Sequence, residues 1–212
     1  MKYNLKKFLL ICGILAPLLL ACTDILAGTL YPGYSFISQA ISELFAIGAP
    51  TSGLVVPLFS LYSVLLIAFA LGVWMSAGRK RSLRVVALMV FGNAANGLVL
   101  WPFFPMHMRG AVMTFTDTMH ITLASIGVIF SVVALVFGAM AFRKRFRIYT
   151  IVTILILLVF GTIPFLEAPQ LAANQPTPWT GFGERVASYV YEIWVVVLAI
   201  VLLKTKEFQA HR

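Results

Sequence analysis

Six long apolar segments, separated by short polar stretches, constrain the fold of this chain more than any other feature. Each segment approaches or exceeds the roughly 20 residues that an α-helix needs to cross the hydrocarbon core of a bilayer. The segments are residues 8–30, 54–77, 85–104, 116–142, 148–166 and 184–204. The sequence therefore predicts one all-α integral-membrane domain, residues 1–212, built as a bundle of six transmembrane helices.

The composition excludes an ordinary soluble domain and argues against a nucleic-acid partner. Apolar residues make up 61% of the 212 residues and charged residues only 11%, against about 45–50% and about 25% in soluble domains. A net charge of +9 would suit nucleic acid. The basic residues, however, form short clusters beside the apolar segments, which is the pattern that orients membrane proteins. We therefore expect the lipid bilayer, and no nucleic acid, as a partner.

The basic clusters also predict the orientation of the chain. Six crossings place 14 of the 16 Lys and Arg residues on one side and leave only Arg109 and Arg185 on the other. Because positive residues concentrate on the cytoplasmic side, both termini are expected in the cytoplasm of a multi-pass cell-membrane protein. The first segment contains Cys22 in a faint lipoprotein-like context, but it stays apolar to Leu30. That length exceeds a signal-peptide core, so we interpret the segment as the first span.

A short amphipathic helix is predicted between the first two spans, over residues 35–45. One face would carry apolar residues, including Ile37 and Phe45, and the other would carry polar residues, including Glu43. We expect this helix to lie in the membrane interface or to fold over the mouth of the bundle. A solvated loop helix is the alternative.

The outer half of the predicted bundle gathers ionisable residues: Asp24, Glu43, His107, Arg109, Asp117, His120, Glu184, Arg185 and Glu192. Ionisable groups within spans usually face the bundle interior and pair. Asp117 and His120 are three residues apart, so they share a helix face. One interpretation is a static network in which Arg109 or Arg185 neutralises Asp24, Asp117 or Glu192. The other is a polar pocket in which Arg185 pairs with Asp117 and His120 approaches Glu192.

Two kinds of function use these residues. The first is binding of a lipid or small amphipathic ligand, with Arg109, Arg185, Glu43, His107 and Asp24 as candidate ligand-binding residues. The second is intramembrane hydrolysis of a lipid or group transfer to or from one, with His120, Asp117 and Glu192 as candidate catalytic residues and His120 acting with Asp117. A static, purely structural cluster remains the third alternative, and no oligomeric state follows from the sequence.

Metal and transport chemistry are not favoured. Catalytic zinc takes three protein ligands and a water molecule, whereas only His107 and His120 lie on the outer side and no paired-histidine motif occurs. No metal and no cofactor are therefore predicted. The inner halves of the spans are almost purely apolar, with Asn93 and Asn96 as the deepest polar groups, which disfavours a channel. These two amides are expected to join helices or to form the floor of a pocket.

Three stretches together resemble the integral-membrane family called Domain of Unknown Function 998. They are PGYSFISQAISELFAIGAP, FFPMHMRG followed by DTMHITLA, and GFGERVA followed by YEIWVVVLAI. The resemblance extends from Tyr31 to Ile200 and implies six spans but no activity. The positions that match the family pattern are Ser42, Glu43, Pro105, Arg109, Gly110, His120 and Arg185. The predicted architecture also looks like the seven-span ceramidase and adiponectin-receptor group, whose sites hold zinc.

Overall fold

The computed structural model describes residues 2–210, which contain six long α-helices and one 3₁₀ helix. Each long helix has the length and apolarity needed to cross a membrane. The predicted all-α membrane fold of six helices is therefore confirmed. Arg212, counted above with the basic residues, lies outside the described residues. The helices are α1 Lys2–Leu30, α2 Ser52–Ala77, α3 Arg81–Phe103, α4 Phe115–Ala141, α5 Lys144–Ala172 and α6 Thr180–Ala210, and the 3₁₀ helix is Ile41–Phe45.

The six helices form a ring in the order of the chain. Each helix packs against the next one in sequence, and α6 returns to pack against α1. We call the end with the two termini and the α2–α3 and α4–α5 connections the basic end. The opposite end, where residues 31–51, 104–114 and 173–179 meet, is called the capped end. A ring of this kind leaves space in its middle unless large side chains fill it.

Small residues bring the neighbouring helices α1 and α2 into close contact. A Cβ atom added to Gly13 would lie 2.3 Å from Cδ2 of Phe69, and one added to Gly72 would lie 3.1 Å from the backbone nitrogen of Leu10. Close approach of this kind is the usual way in which membrane helices gain packing contacts, because lipid removes the hydrophobic driving force. The two glycines therefore permit the short distance between α1 and α2.

The basic half of the ring is filled by large side chains, whereas the capped half is not. Trp194 of α6 is fully buried, and its Nε1 donates a hydrogen bond to Oγ1 of Thr150, 2.9 Å away. A Cβ atom on Gly138 of α4 would lie 2.5 Å from the Trp194 ring. Leu135 and Leu198 are also fully buried. The open space therefore lies towards the capped end.

The connection between α1 and α2 differs from the predicted amphipathic helix. Only Ile41–Phe45 is helical, and it forms a single 3₁₀ turn. Glu43, expected on the polar face, is 1% exposed, whereas Ile37, expected on the apolar face, is 54% exposed. The physical reason is that Glu43 is drawn inward by an ion pair with Arg109. The connection packs against α1, α2 and α6, while its placement in the membrane interface remains a prediction.

Candidate functional site

Arg109 holds the three connections of the capped end together. Its Nε and Nη2 atoms donate to the two carboxylate oxygens of Glu43, at 2.7 and 2.8 Å. Nη2 also donates to the carbonyl oxygen of Ser38, at 2.6 Å, and Nη1 donates to Oγ1 of Thr177, at 2.6 Å. Hydrogen bonds to the Glu43 carboxylate raise the pKa of the Arg109 guanidinium. One side chain thus links all three connections, with a bidentate ion pair at its centre.

A second bidentate pair joins α6 to α1. Nε and Nη2 of Arg185 donate to the two carboxylate oxygens of Asp24, at 3.0 and 2.8 Å. The hydroxyl group of Tyr189 donates to the same carboxylate, and Nη2 of Arg185 also donates to the hydroxyl oxygen of Tyr34, at 2.6 Å. Burial raises the pKa of Tyr34 well above its usual value, so its phenol stays neutral. Asp24 is fully buried, and its charge is offset within this cluster.

The first turn of α6 lies directly against the α1–α2 connection. Nη1 of Arg185 is 2.9 Å from the carbonyl oxygens of both Phe36 and Gln39. A Cβ atom on Gly181 would lie only 2.2 Å from the Gln39 carbonyl oxygen. Glycine at this position therefore permits the close approach that lets Arg185 reach the connection.

Asp117 organises the α3–α4 connection and the start of α4. Its carboxylate accepts hydrogen bonds from the backbone nitrogens of His107, at 2.7 Å, and Thr114, at 2.8 Å. It also accepts one from Oγ1 of Thr114, and it contacts Nδ1 of His107 at 2.9 Å. A carboxylate in the first turn of a helix is favoured by the helix dipole as well. Asp117 is therefore fully engaged in holding this connection.

Two predicted pairings are wrong. Arg185 pairs with Asp24 rather than with Asp117, because α6 packs beside α1 in the ring. The acid–base pair of His120 with Asp117 is not formed either, since Asp117 binds His107 and Nδ1 of His120 contacts the carbonyl oxygen of Phe104 at 2.7 Å. One alternative predicted from the sequence was a static network in which Arg185 neutralises Asp24. This ion pair is present in the structure.

Below the capped end, the ring encloses a cavity of about 390 Å³. All six helices and the 3₁₀ helix contribute side chains to its wall. The wall is mostly apolar with a few polar groups, as in typical sites for small ligands. The polar and charged lining residues are Ser42, Tyr62, Ser63, Asn93, Asn96, Trp101, His120, Ser131, Thr162, Glu184, Ser188, Tyr191 and Glu192.

His120 and the two asparagines lie on the α3–α4 side of the cavity. Nδ2 of Asn96 donates to the carbonyl oxygen of Leu123, at 2.8 Å, and Nδ2 of Asn93 donates to Oγ of Ser131, at 3.4 Å. The asparagines therefore join α3 to α4 and line the cavity at the same time. His120 is buried, and its contact with Phe104 through Nδ1 leaves Nε2 as the ring atom available on the other side.

Glu192 is the acidic group that lies deepest along α6 in the cavity wall. Its side chain is 6% exposed, and its Oε1 accepts a hydrogen bond of 2.5 Å from the hydroxyl group of Tyr62. Among the described residues, no hydrogen-bond partner reaches its Oε2, which is buried. A buried carboxylate oxygen without a partner is costly. The carboxylate of Glu192 therefore has one buried oxygen to which none of the described residues donates a hydrogen bond.

The cavity opens sideways between α4 and α5. Ala124 and Val128 of α4, together with Leu158, Thr162 and Phe165 of α5, line the cavity and are also exposed. In a membrane-spanning helix such surface faces lipid. Because exposed residues of these two neighbouring helices border the same space, the cavity reaches the outer surface of the bundle at this gap.

The predicted ligand-binding residues divide into two groups. Arg109, Arg185, Glu43 and Asp24 form the ion pairs of the cap, and none of the four lines the cavity. His107 belongs to the α3–α4 connection. Of the predicted catalytic residues, His120 and Glu192 line the cavity and Asp117 does not; no group of three metal-ligating side chains occurs within the part of the chain that the structure describes.

Several important residues were not identified from the sequence. Tyr62 and Tyr191 line the cavity but look like ordinary apolar span residues in a hydropathy pattern, and Tyr34, which accepts a hydrogen bond from Arg185, lies in a connection. Thr177, which precedes α6, accepts a hydrogen bond from Arg109. Helical spacing relates Tyr189 to Arg185, four residues earlier, but it gives no signal for the other three tyrosines.

The ring of spans, the double ion-pair cap and the cavity beneath it define a six-helix integral-membrane protein. The family model described as protein of unknown function (DUF998) matches residues 14–201, and the chain belongs to this family. The resemblance noted from the sequence is thereby confirmed. No curated protein and no solved structure was found to match the chain.

Proposed function

We propose that this protein binds one lipid or similar amphipathic molecule in the cavity beneath the cap. The observation that carries the proposal is the shape of the cavity, which has polar groups at its centre and an apolar opening between α4 and α5. A polar head would lie near Glu192, His120 and Asn96, and an apolar chain would extend through the opening into the bilayer. A volume of about 390 Å³ suits a head group with part of a chain.

The orientation of the protein belongs to the same proposal. The basic end carries the clusters around Arg79–Arg84 and Arg143–Arg147, and the positive-inside rule places such clusters in the cytoplasm. The capped end then faces the outside of the cell membrane, and the cavity lies in the outer half of the bilayer. The ligand would therefore enter from the outer leaflet.

Photo-crosslinking tests whether the cavity is occupied through the lateral opening. The purified protein is placed in lipid nanodiscs with a long-chain alcohol that carries a diazirine in its chain, and labelled peptides are identified by mass spectrometry. We expect labels on α4 and α5 residues of the opening, such as Val128 and Leu158. Excess unlabelled alcohol should reduce this labelling, because a single site saturates.

A pair of variants on α4 provides the matched control. Ala124→Phe places a ring in the opening, whereas Ile129→Phe makes a similar change at an exposed position that does not line the cavity. Labelling should fall in the first variant and persist in the second. Equal, unsaturable labelling in both variants, spread over the outer faces of all helices, would overturn the proposal.

A further inference from the structure

The cavity wall contains acidic side chains but no basic ones among the described residues, and this charge affects which head group of the proposed ligand would fit. Glu184 and Glu192 both line the cavity. Oε2 of Glu184 accepts a hydrogen bond from the backbone nitrogen of Ile41, at 2.9 Å, while Oε2 of Glu192 has no partner within the described residues. The wall therefore presents two carboxylates, one of which has an unused buried oxygen.

Neither arginine of this half of the bundle forms an ion pair with Glu184 or Glu192. Arg109 is bound to Glu43 and Arg185 to Asp24, each through two hydrogen bonds. Among the residues described, neither a lysine nor an arginine lines the cavity. A phosphate or carboxylate head would therefore meet acidic groups without a neutralising cation, which is unfavourable in a low-dielectric site.

We infer that the preferred ligand has a cationic head, an amine or a comparable ammonium group on a long apolar chain. This inference rests on the proposed function and specifies its head group. An ammonium group supplies three hydrogen-bond donors. It can donate to Oε2 of Glu192 while Tyr62 continues to donate to Oε1, and Asn96 and His120 offer further polar contacts. A buried ion pair of this kind removes the cost of the unpaired oxygen.

The test compares probes that share one chain and differ in the head. Dodecylamine, dodecanol and dodecyl sulfate compete against the diazirine-labelled alcohol on the wild-type protein in nanodiscs. We expect dodecylamine to compete at a concentration at least about 30-fold lower than dodecyl sulfate, which matches the range found for buried charge pairs. Ethylamine, which has no chain, should not compete, because the apolar opening contributes to binding. Strong competition by ethylamine would overturn the lipid-like ligand and point to a free amine.

Glu192→Gln is the decisive variant because it keeps the shape and the acceptor for Tyr62 but removes the charge. We expect it to weaken competition by dodecylamine at least about 30-fold and to leave dodecanol nearly unchanged. Glu167→Gln is the matched control, since Glu167 binds the start of α6 and does not line the cavity. The wild-type comparison retains its value even if Glu192→Gln fails to fold.

The outcomes separate this inference from the proposed function. Saturable labelling of the cavity with equal or stronger competition by dodecyl sulfate overturns the cationic head and leaves lipid binding intact. Loss of dodecylamine preference in Glu167→Gln as well as in Glu192→Gln would also overturn it. Labelling that does not saturate with any probe contradicts the proposed function itself.

Discussion

Removing Arg185 should be one of the most destabilising single changes at the capped end. Arg185→Met leaves the carboxylate of Asp24 fully buried, with the hydroxyl group of Tyr189 as the remaining donor among those described. Breaking a buried pair by deleting one partner costs about 3–5 kcal/mol. For a chain of this size, each kcal/mol corresponds to about 2–4 °C, so the melting temperature should fall by about 6–20 °C.

A double-mutant cycle identifies the ion pair as the cause. Asp24→Leu combined with Arg185→Met removes both charges, and replacing a buried pair with apolar side chains is often nearly neutral. The double variant should therefore melt above the single variant Arg185→Met. Melting is followed by the fluorescence of the four tryptophans in detergent, with Arg147→Met, an exposed arginine at the basic end, as control.

Two results would contradict this reasoning. A melting temperature of Arg185→Met within about 2 °C of the wild type would show that the pair contributes less than about 1 kcal/mol. Additive effects of the two substitutions would show that Asp24 and Arg185 do not interact. In contrast, retained cavity labelling in a stable double variant would separate the structural cap from the ligand site.

Three further predictions concern topology, packing and metal. Reporters fused after Lys80 or Arg145 should behave as cytoplasmic and one near Gln175 as external, which accessibility labelling checks; an external signal at Lys80 would invert the orientation. Gly181→Ala should lower the melting temperature, because its Cβ would lie 2.2 Å from a backbone oxygen, whereas Gly53→Ala has open space and should not. Chelators should leave thermal stability unchanged, and elemental analysis should find substoichiometric zinc; one tightly held zinc per chain would refute this.

The number of spans was predictable because hydropathy is a local property. A run of about 20 apolar residues in lipid favours a helix, because a helix satisfies the backbone polar groups of the segment within the segment itself. The helix ends were less predictable: α5 continues to Ala172, past the predicted end at residue 166. Pro169, which lies beyond the predicted end of the span, is inside α5.

The ion pairs were not predictable to the same degree because they depend on the order of helices in the ring. Asp24 and Arg185 are separated by 161 positions in the chain and meet only because α6 returns to α1. Sequence spacing favoured Asp117 as the partner of His120, since it reports only neighbours on one helix. The actual partner of Asp117, His107, lies in a connection whose path no periodicity describes.

The position of the two arginines at the capped end affects the charge of the cavity wall. Arg109 and Arg185 are the two basic residues that the sequence analysis left on the outer side. In the structure they form ion pairs with Glu43 and Asp24, respectively, at the capped end. The carboxylate of Glu192 is thereby left without a protein cation. Had one of these arginines reached the cavity, it would have offset one of the two carboxylates that line the wall. The same ion pairs that close the capped end therefore leave the cavity wall with acidic side chains and no basic one among the described residues, which is the basis of the cationic head group that we propose.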